Sequence, residues 1–397
     1  MIWIALLLTA CKSEDQVTVE EPEKTPTLLS VYVYSPEHPI PTRGTNGEVN
    51  VIDHEADINT FQIWVFETGT NNLVAYHSPQ EADNSLDFTD ENEGKVYQLT
   101  VSDWFAALET KPNVDVYVVA NIAQNNCGFT LDKNTQRSDL EAANTQRSNL
   151  ETAALAKSET TDYFGLSALT TSVPDEGLPM AGVLRDEKIG GESPVYRIGE
   201  NSLATVRLER VVSKVRFIFS REEGEEVMID EITFEDQAIP DTEFLFLGNS
   251  GETHVEGPYR NGTLFSSPAS DGGVPIAENP DPETFVYQNE YGAQTYEDMI
   301  ASAVNPEEGQ TPTLTEIGLY YLRESDKKIA GRIYYHVGDE DQKARDAAFQ
   351  LSAAGDFSRN HSWIVYAYYG HSELFVCSVA VKDWLKASDG NHTIYNW

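Results

Sequence analysis

Cysteine is scarce in this sequence: 397 residues hold three, Cys11, Cys127 and Cys377. That is too few for a disulfide framework. If Cys11 belongs to a leader, Cys127 and Cys377 remain, in different halves of the chain, and they read as two small buried hydrophobes. Basic residues are also few, with 27 Lys and Arg against 65 Asp and Glu and a formal net charge of -38. A field of that sign repels phosphate backbones and anionic lipid surfaces, which argues against nucleic acid as a partner and against peripheral membrane docking. Solubility at an exposed surface is the simpler use of such a charge.

Catalytic constellations are missing as well. The eight His are scattered, with no His-x-x-x-His and no Cys/His cluster, so there is no case for zinc. There is no Gly-rich phosphate loop with a Lys and no Gly-x-Ser-x-Gly elbow. Carboxylates are too numerous to single out a pair. Asn279, Asp281 and Glu283 alternate in a loop and offer oxygens to Ca²⁺, but a complete oxygen-ligand loop is absent. The expectation is a protein that is not an enzyme, with no metal and no cofactor.

The chain is too long for one ordinary core, which suggests two domains. Residues 1–11 read as the apolar core of a secretory signal closing in a lipobox, Leu8-Thr9-Ala10-Cys11, with no basic segment ahead of it. This run is too short to span a bilayer, which takes about 20 residues. Cys11 is the candidate lipidation site, and Lys12-Ser13-Glu14-Asp15 resembles the surface-export signal of Bacteroidota lipoproteins.

Residues 12–43 read as a removable leader. Within it, Leu28-Leu29-Ser30-Val31-Tyr32-Val33-Tyr34 alternates with a period of two, Leu29, Val31 and Val33 on one face and Leu28, Ser30, Tyr32 and Tyr34 on the other. That is a half-buried strand, and a strand needs a sheet to join. Between Lys24 and Lys95 the only Lys or Arg is Arg43, in a Pro/Thr/Gly/Asn-rich stretch suited to proteolysis. Cutting between Arg43 and Gly44 would remove the strand and the lipid together. A surface loop that happens to hold one Arg is the plainer reading.

Domain one is expected over residues 44–203, with core strands at Phe61–Phe66 and Val114–Ala120 and a short helix at Val101–Leu108. Asn134–Ala143 is nearly repeated as Asn144–Ala153, each copy with a Ser-x-x-Glu capping signature, at Ser138/Glu141 and Ser148/Glu151. This reads as a helical surface insertion. Domain two is expected over residues 204–397. From Val206 and Leu208 to Val211, Val215, Phe217 and Phe219 the apolar parity switches, which predicts a β-bulge near Glu209–Val211. Further strands are read at Met228–Phe234, Phe244–Leu247, Thr284–Tyr287 and Gly318–Leu322, with long loops over Gly248–Pro282. The last third ends in two aromatic and aliphatic strands, 359–369 and 374–381. Thr393-Ile394-Tyr395-Asn396-Trp397 follows, too apolar for a solvated tail. Strand follows strand, so the fold class is all-β, built of sandwiches.

The lipobox, the strand before Arg43-Gly44, Leu208-Glu209-Arg210-Val211-Val212-Ser213-Lys214-Val215, Arg359-Asn360-His361-Ser362-Trp363, and Val381-Lys382-Asp383-Trp384 leading to Asn396-Trp397 together resemble the FimA-type fimbrillins of Bacteroidota. The resemblance implies two transthyretin-like β-sandwich domains and a lipoprotein precursor at the outer membrane, cut by an arginine-specific protease. It implies assembly into a cell-surface fimbria by donor-strand exchange, with Thr393, Ile394, Tyr395 and Trp397 as candidate donor. The implied partners are copies of the chain or related subunits, the protease, a lipid anchor before processing, and a host or bacterial surface ligand. The competing reading is a tip adhesin or a surface glycan-binding lipoprotein using aromatics such as Tyr291 or Trp363.

Overall fold

The computed structural model describes residues 26–34, 58–78, 94–122, 131–141, 178–246, 255–268, 270–279, 300, 302–355, 357–381 and 392–396. Its elements are almost all strands, arranged in four five-stranded sheets. The first half supplies β1 (Leu28–Tyr34), β2 (Phe61–Glu67), β3 (Leu73–His77), β4 (Gly94–Thr100), α1 (Asp103–Ala107), β5 (Val114–Ala120), α2 (Arg137–Glu141), β6 (Met180–Glu187), β7 (Ile189–Glu192), β8 (Val195–Ile198), β9 (Thr205–Arg207) and β10 (Glu209–Arg210). One sheet runs β4-β1-β8-β7, with β9 also on β1, and the other runs β10-β6-β5-β2-β3. Their inner faces meet in one core, where Leu29, Val31, Tyr97, Leu99 and Val206 face Phe61, Ile63, Val65, Val116 and Val118. The all-β sandwich architecture expected from the alternation is what forms.

The strands β2 and β5 read as unbroken apolar runs because both of their faces are covered. Behind the core, Trp64, Phe66, Tyr117 and Val119 pack against Leu131, Leu140, Val211, Leu245 and Phe246. The capping signature lies elsewhere than expected. Gln136 stands just ahead of α2, its carbonyl accepting from the N–H groups of Asp139 and Leu140, while Asp139 reaches back to the Gln136 N–H at 3.1 Å. Glu141 instead pairs with Arg185 and accepts from the Tyr117 hydroxyl. The second copy of the repeat lies outside the described residues.

Asp115, buried at the second position of β5, is held by four donors. These are the Arg137 Nε at 2.6 Å, the Asp186 N–H at 2.9 Å, the Thr68 hydroxyl at 3.0 Å and the Gly69 N–H at 3.4 Å. Burial pushes its carboxyl up, but the donors together hold it below the ordinary carboxylate range. A folded-state pKa below the unfolded one gives stability that is present at neutral pH and lost as pH falls through the lowered value. Asp115→Asn should therefore lower stability at pH 7 and shrink its loss as pH falls below about 4, read by denaturant titration across pH.

The second half supplies β11 (Val212–Arg221), β12 (Val227–Glu243), β13 (Val255–Ser266), β14 (Val274–Pro275), β15 (Thr315–Arg323), β16 (Ile329–Val337), β17 (Arg345–Ser352), β18 (Ser362–Gly370), β19 (Glu373–Val381) and β20 (His392–Asn396). One sheet runs β15-β11-β18-β19-β20, the other β13-β12-β16-β17 with β14 on β12. Their shared core holds Val215, Phe217, Phe219, Ile232, Ile333, Phe349 and Trp363.

Three expectations need correction. The parity switch at Glu209–Val211 is not a bulge: β9 pairs with β1 in one sheet, β10 with β6 in the opposite one, and β11 opens the second sandwich. Changing sheets reverses the inward face as surely as an inserted residue does. Of the strand expected at Phe244–Leu247, the described residues 244–246 are not a strand, since after one bridging residue the chain bends and places Phe246 edge-on against Tyr117 at 5.0 Å; Leu247 lies outside the described residues. The loop expected over Gly248–Pro282 contains β13 and β14. The strand expected at Thr284–Tyr287 lies outside the described residues.

A buried ion pair sits on the seam between the halves. Arg359 (4% exposed) lies against Glu324 (0%), with its Nε 3.1 Å from Oε1. The same guanidinium donates to the carbonyls of Leu245 and Phe244, both at 2.6 Å. Beside it, Arg210 donates to the Asn360 side chain at 3.3 Å and the Asn360 N–H to the Val212 carbonyl at 3.0 Å. The Leu208–Val215 and Arg359–Trp363 stretches, distant in sequence, form one joint.

Candidate functional site

The first strand occupies the interior of its sheet. On one side β1 runs antiparallel to β4 through seven partners, from Leu28↔Thr100 to Tyr34↔Gly94. On the other it runs parallel to two short strands in succession, Leu28 to Ser30 against β8 and Tyr32 to Tyr34 against β9. Backbone hydrogen bonds seal both ends. The Leu28 N–H donates to the Pro194 carbonyl at 2.8 Å, the Val101 N–H to the Thr27 carbonyl at 3.1 Å, and the Leu208 N–H to the Tyr34 carbonyl at 2.9 Å.

The alternation read from the sequence is the burial observed. Leu29, Val31 and Val33 are each 0% exposed, while the four residues between and beside them are half-buried on the outer face. Seating three aliphatic side chains is worth about 5 to 9 kcal/mol as an upper value. Without β1 the sheet would be a trench lined by Tyr97, Leu99, Ile198 and Val206, with two backbone edges unpaired.

On the outer face the strand carries Tyr32 and Tyr34. The Tyr34 ring lies under the Arg207 guanidinium at 5.4 Å. The Tyr32 ring lies across Gly94, where an added Cβ would come within 2.8 Å of its Cε2. Sequence reasoning missed β4 and β8, the walls of this site. Tyr97 and Leu99, two apart on β4, and the β-rich run Val195-Tyr196-Arg197-Ile198 were the available signals.

At the other end of the chain, β20 pairs with β19 alone, through five partners from Val381↔His392 to Cys377↔Asn396. Thr393, Ile394 and Tyr395 therefore lie on a sheet edge of their own half, and Trp397 lies outside the described residues. So do Cys11, Arg43, Gly44, Cys127 and Tyr291. Trp363, named above as a possible glycan contact, is 1% exposed in the second core, so it cannot stack on a ligand at the surface. Asn279 is buried, and its companions Asp281 and Glu283 are outside the described residues. No group of three His, Cys, Asp or Glu among the described residues is placed to hold a metal ion.

The fold and site define a two-sandwich β protein whose distinctive feature is a strand held inside a sheet. Residues 29–210 match the family described as major fimbrial subunit protein (FimA). The match begins at the second residue of β1 and closes on the last residue of β10, so β1 lies inside the matched stretch. No curated protein matches the chain. Among solved structures, the chain is similar to the tip fimbrial protein Mfa3 from Porphyromonas gingivalis, with C-terminal truncation, at 12% identity and TM-score 0.43, covering 94% of this chain and 99% of that one. It is similar to a fimbrial assembly protein from Parabacteroides distasonis at 12% identity and TM-score 0.45, covering 94% and 100%. A further Parabacteroides distasonis structure, assigned to cell adhesion, gives 15% identity and TM-score 0.49, covering 91% and 98%.

Proposed function

We propose that this chain is a structural subunit of a cell-surface fimbria, exported as a lipoprotein through Cys11, cut after Arg43 and polymerised by strand exchange with copies of itself or related subunits. The observation that carries the reading is the place of β1, which is the first described element yet lies between other strands. It can be withdrawn without interrupting any other strand, and what it leaves is a slot rather than an edge.

The balance of backbone pairing supports β20 as the replacement. In its own half β20 has one ladder of five pairs. The slot offers a seven-pair ladder against β4 and two three-pair ladders against β8 and β9. Each added hydrogen bond is worth about 0.5 to 1.5 kcal/mol net, and apolar burial adds to it. This is β-strand addition, with main-chain bonds for affinity and alternate side chains for fit.

Sedimentation of the cut and uncut chain tests it. The uncut chain should remain monomeric and the cut chain should polymerise. The cut chain lacking residues 388–397 should fail to polymerise with itself while still accepting a donor from the intact chain. A cut chain that stays monomeric at high concentration would defeat the reading.

A further inference from the structure

We propose that the groove selects its occupant on its outer face as well as its inner one: Gly94 and Arg207 form a rim that reads two aromatic side chains spaced two residues apart. This rests on the strand-exchange reading and specifies which strand the groove takes. The inner pockets ask only for aliphatic side chains of about the right size, a pattern many strands carry. The rim asks for more. Tyr34 stands directly across from Gly94 on β4 and from Arg207 on β9.

The absence of a side chain at Gly94 leaves a flat backbone floor, and the Tyr32 ring fills it diagonally from β1. A glycine inside a strand loses packing, and a ring laid over it from the neighbouring strand restores it. Arg207 then faces the second ring, 5.4 Å from its centroid, in a cation–π arrangement. Both features are on strands that stay behind, and both rings are on the strand proposed to leave, so an incoming segment without aromatics would meet an unfilled floor and an unmatched cation.

The occupant is therefore an extended segment with aliphatics alternating inward and aromatics at two successive outward positions. In this chain's candidate donor, Tyr395 and Trp397 have that spacing. Seating them in the places of Tyr32 and Tyr34 puts His392, Ile394 and Asn396 in the inward places of Leu29, Val31 and Val33, so this donor meets the outer requirement at both positions and the inner one at Ile394 alone.

The test uses the full chain cut after Arg43, with β1 exchanged against fluorescent peptides of residues 26–36 and capture read by anisotropy. Replacing Tyr32 by Ala in the peptide should weaken capture about fivefold on the native groove, and Tyr34→Ala likewise. On the Gly94→Ala protein the Tyr32→Ala peptide should lose no more than the unaltered one. On Arg207→Gln, which leaves the floor intact, the Tyr34→Ala penalty should vanish. Equal capture of all three peptides by the native groove overturns the rim and leaves strand exchange standing. Penalties unchanged on both protein variants do the same. No capture of the unaltered peptide overturns the rim and strand exchange together.

Discussion

Val31→Asp should unfold the amino-terminal sandwich, or cost it about 4 kcal/mol or more, read by thermal melting of the uncut chain. Val31 is the central residue of β1 and has no exposed surface. A carboxylate there faces Leu29, Val33 and the apolar residues of the opposite sheet. It must either stay charged in a dry core or take up a proton, and both options are costly. Val31→Ala, which removes apolar area alone, should cost about 2 kcal/mol. The gap between the two variants separates burial of charge from loss of packing. If Val31→Asp melts like the native chain, β1 is not held in the core, and strand exchange has nothing to exchange.

Arg359→Met should be comparably severe, about 3 to 5 kcal/mol by denaturant titration. It strands Glu324, which is 0% exposed, and deprives the Phe244 and Leu245 carbonyls of their donor. Glu324→Leu alone should cost a similar amount by stranding the cation. Changing both should cost less than the sum, because neither charge is then left alone. An additive double variant would mean that the two side chains do not act as a pair. The loss should appear as separation of one unfolding transition into two, since Arg359 holds the bend that seats Phe246 on Tyr117.

The parts of the fold that could be read from the sequence are those in which one physical rule acts alone. The limits of β1 follow from strict alternation with one face buried. The strands β2 and β5 follow from density of β-branched and aromatic residues, as both faces are covered. The failures came where two causes leave the same trace. A bulge and a change of sheet both reverse parity, so Val206 to Val215 could not be resolved by periodicity. The strand β13 was hidden because it contains Gly257, Pro258 and Gly262. These residues suggest a loop, yet they are tolerated there because β13 forms the edge of its sheet.

Of the candidate site, the occupant was legible and the walls were not. Alternation marks a strand but not its neighbours, and β4, β8 and β9 come from three distant parts of the chain. The Arg210 and Arg359 seam was visible only as two stretches of family likeness. Their common purpose required coordinates.

The ladders on both sides of β1 run along its whole length and across its axis. Tension applied along that axis, as between successive links of a filament, would load all the rungs in shear at once. The same force applied sideways would open them one after another, starting at the weaker break between β8 and β9. A joint made in this way is strong in the direction of pull and yields to peeling, so a fibre built from it would resist drag better than it resists bending at a single link.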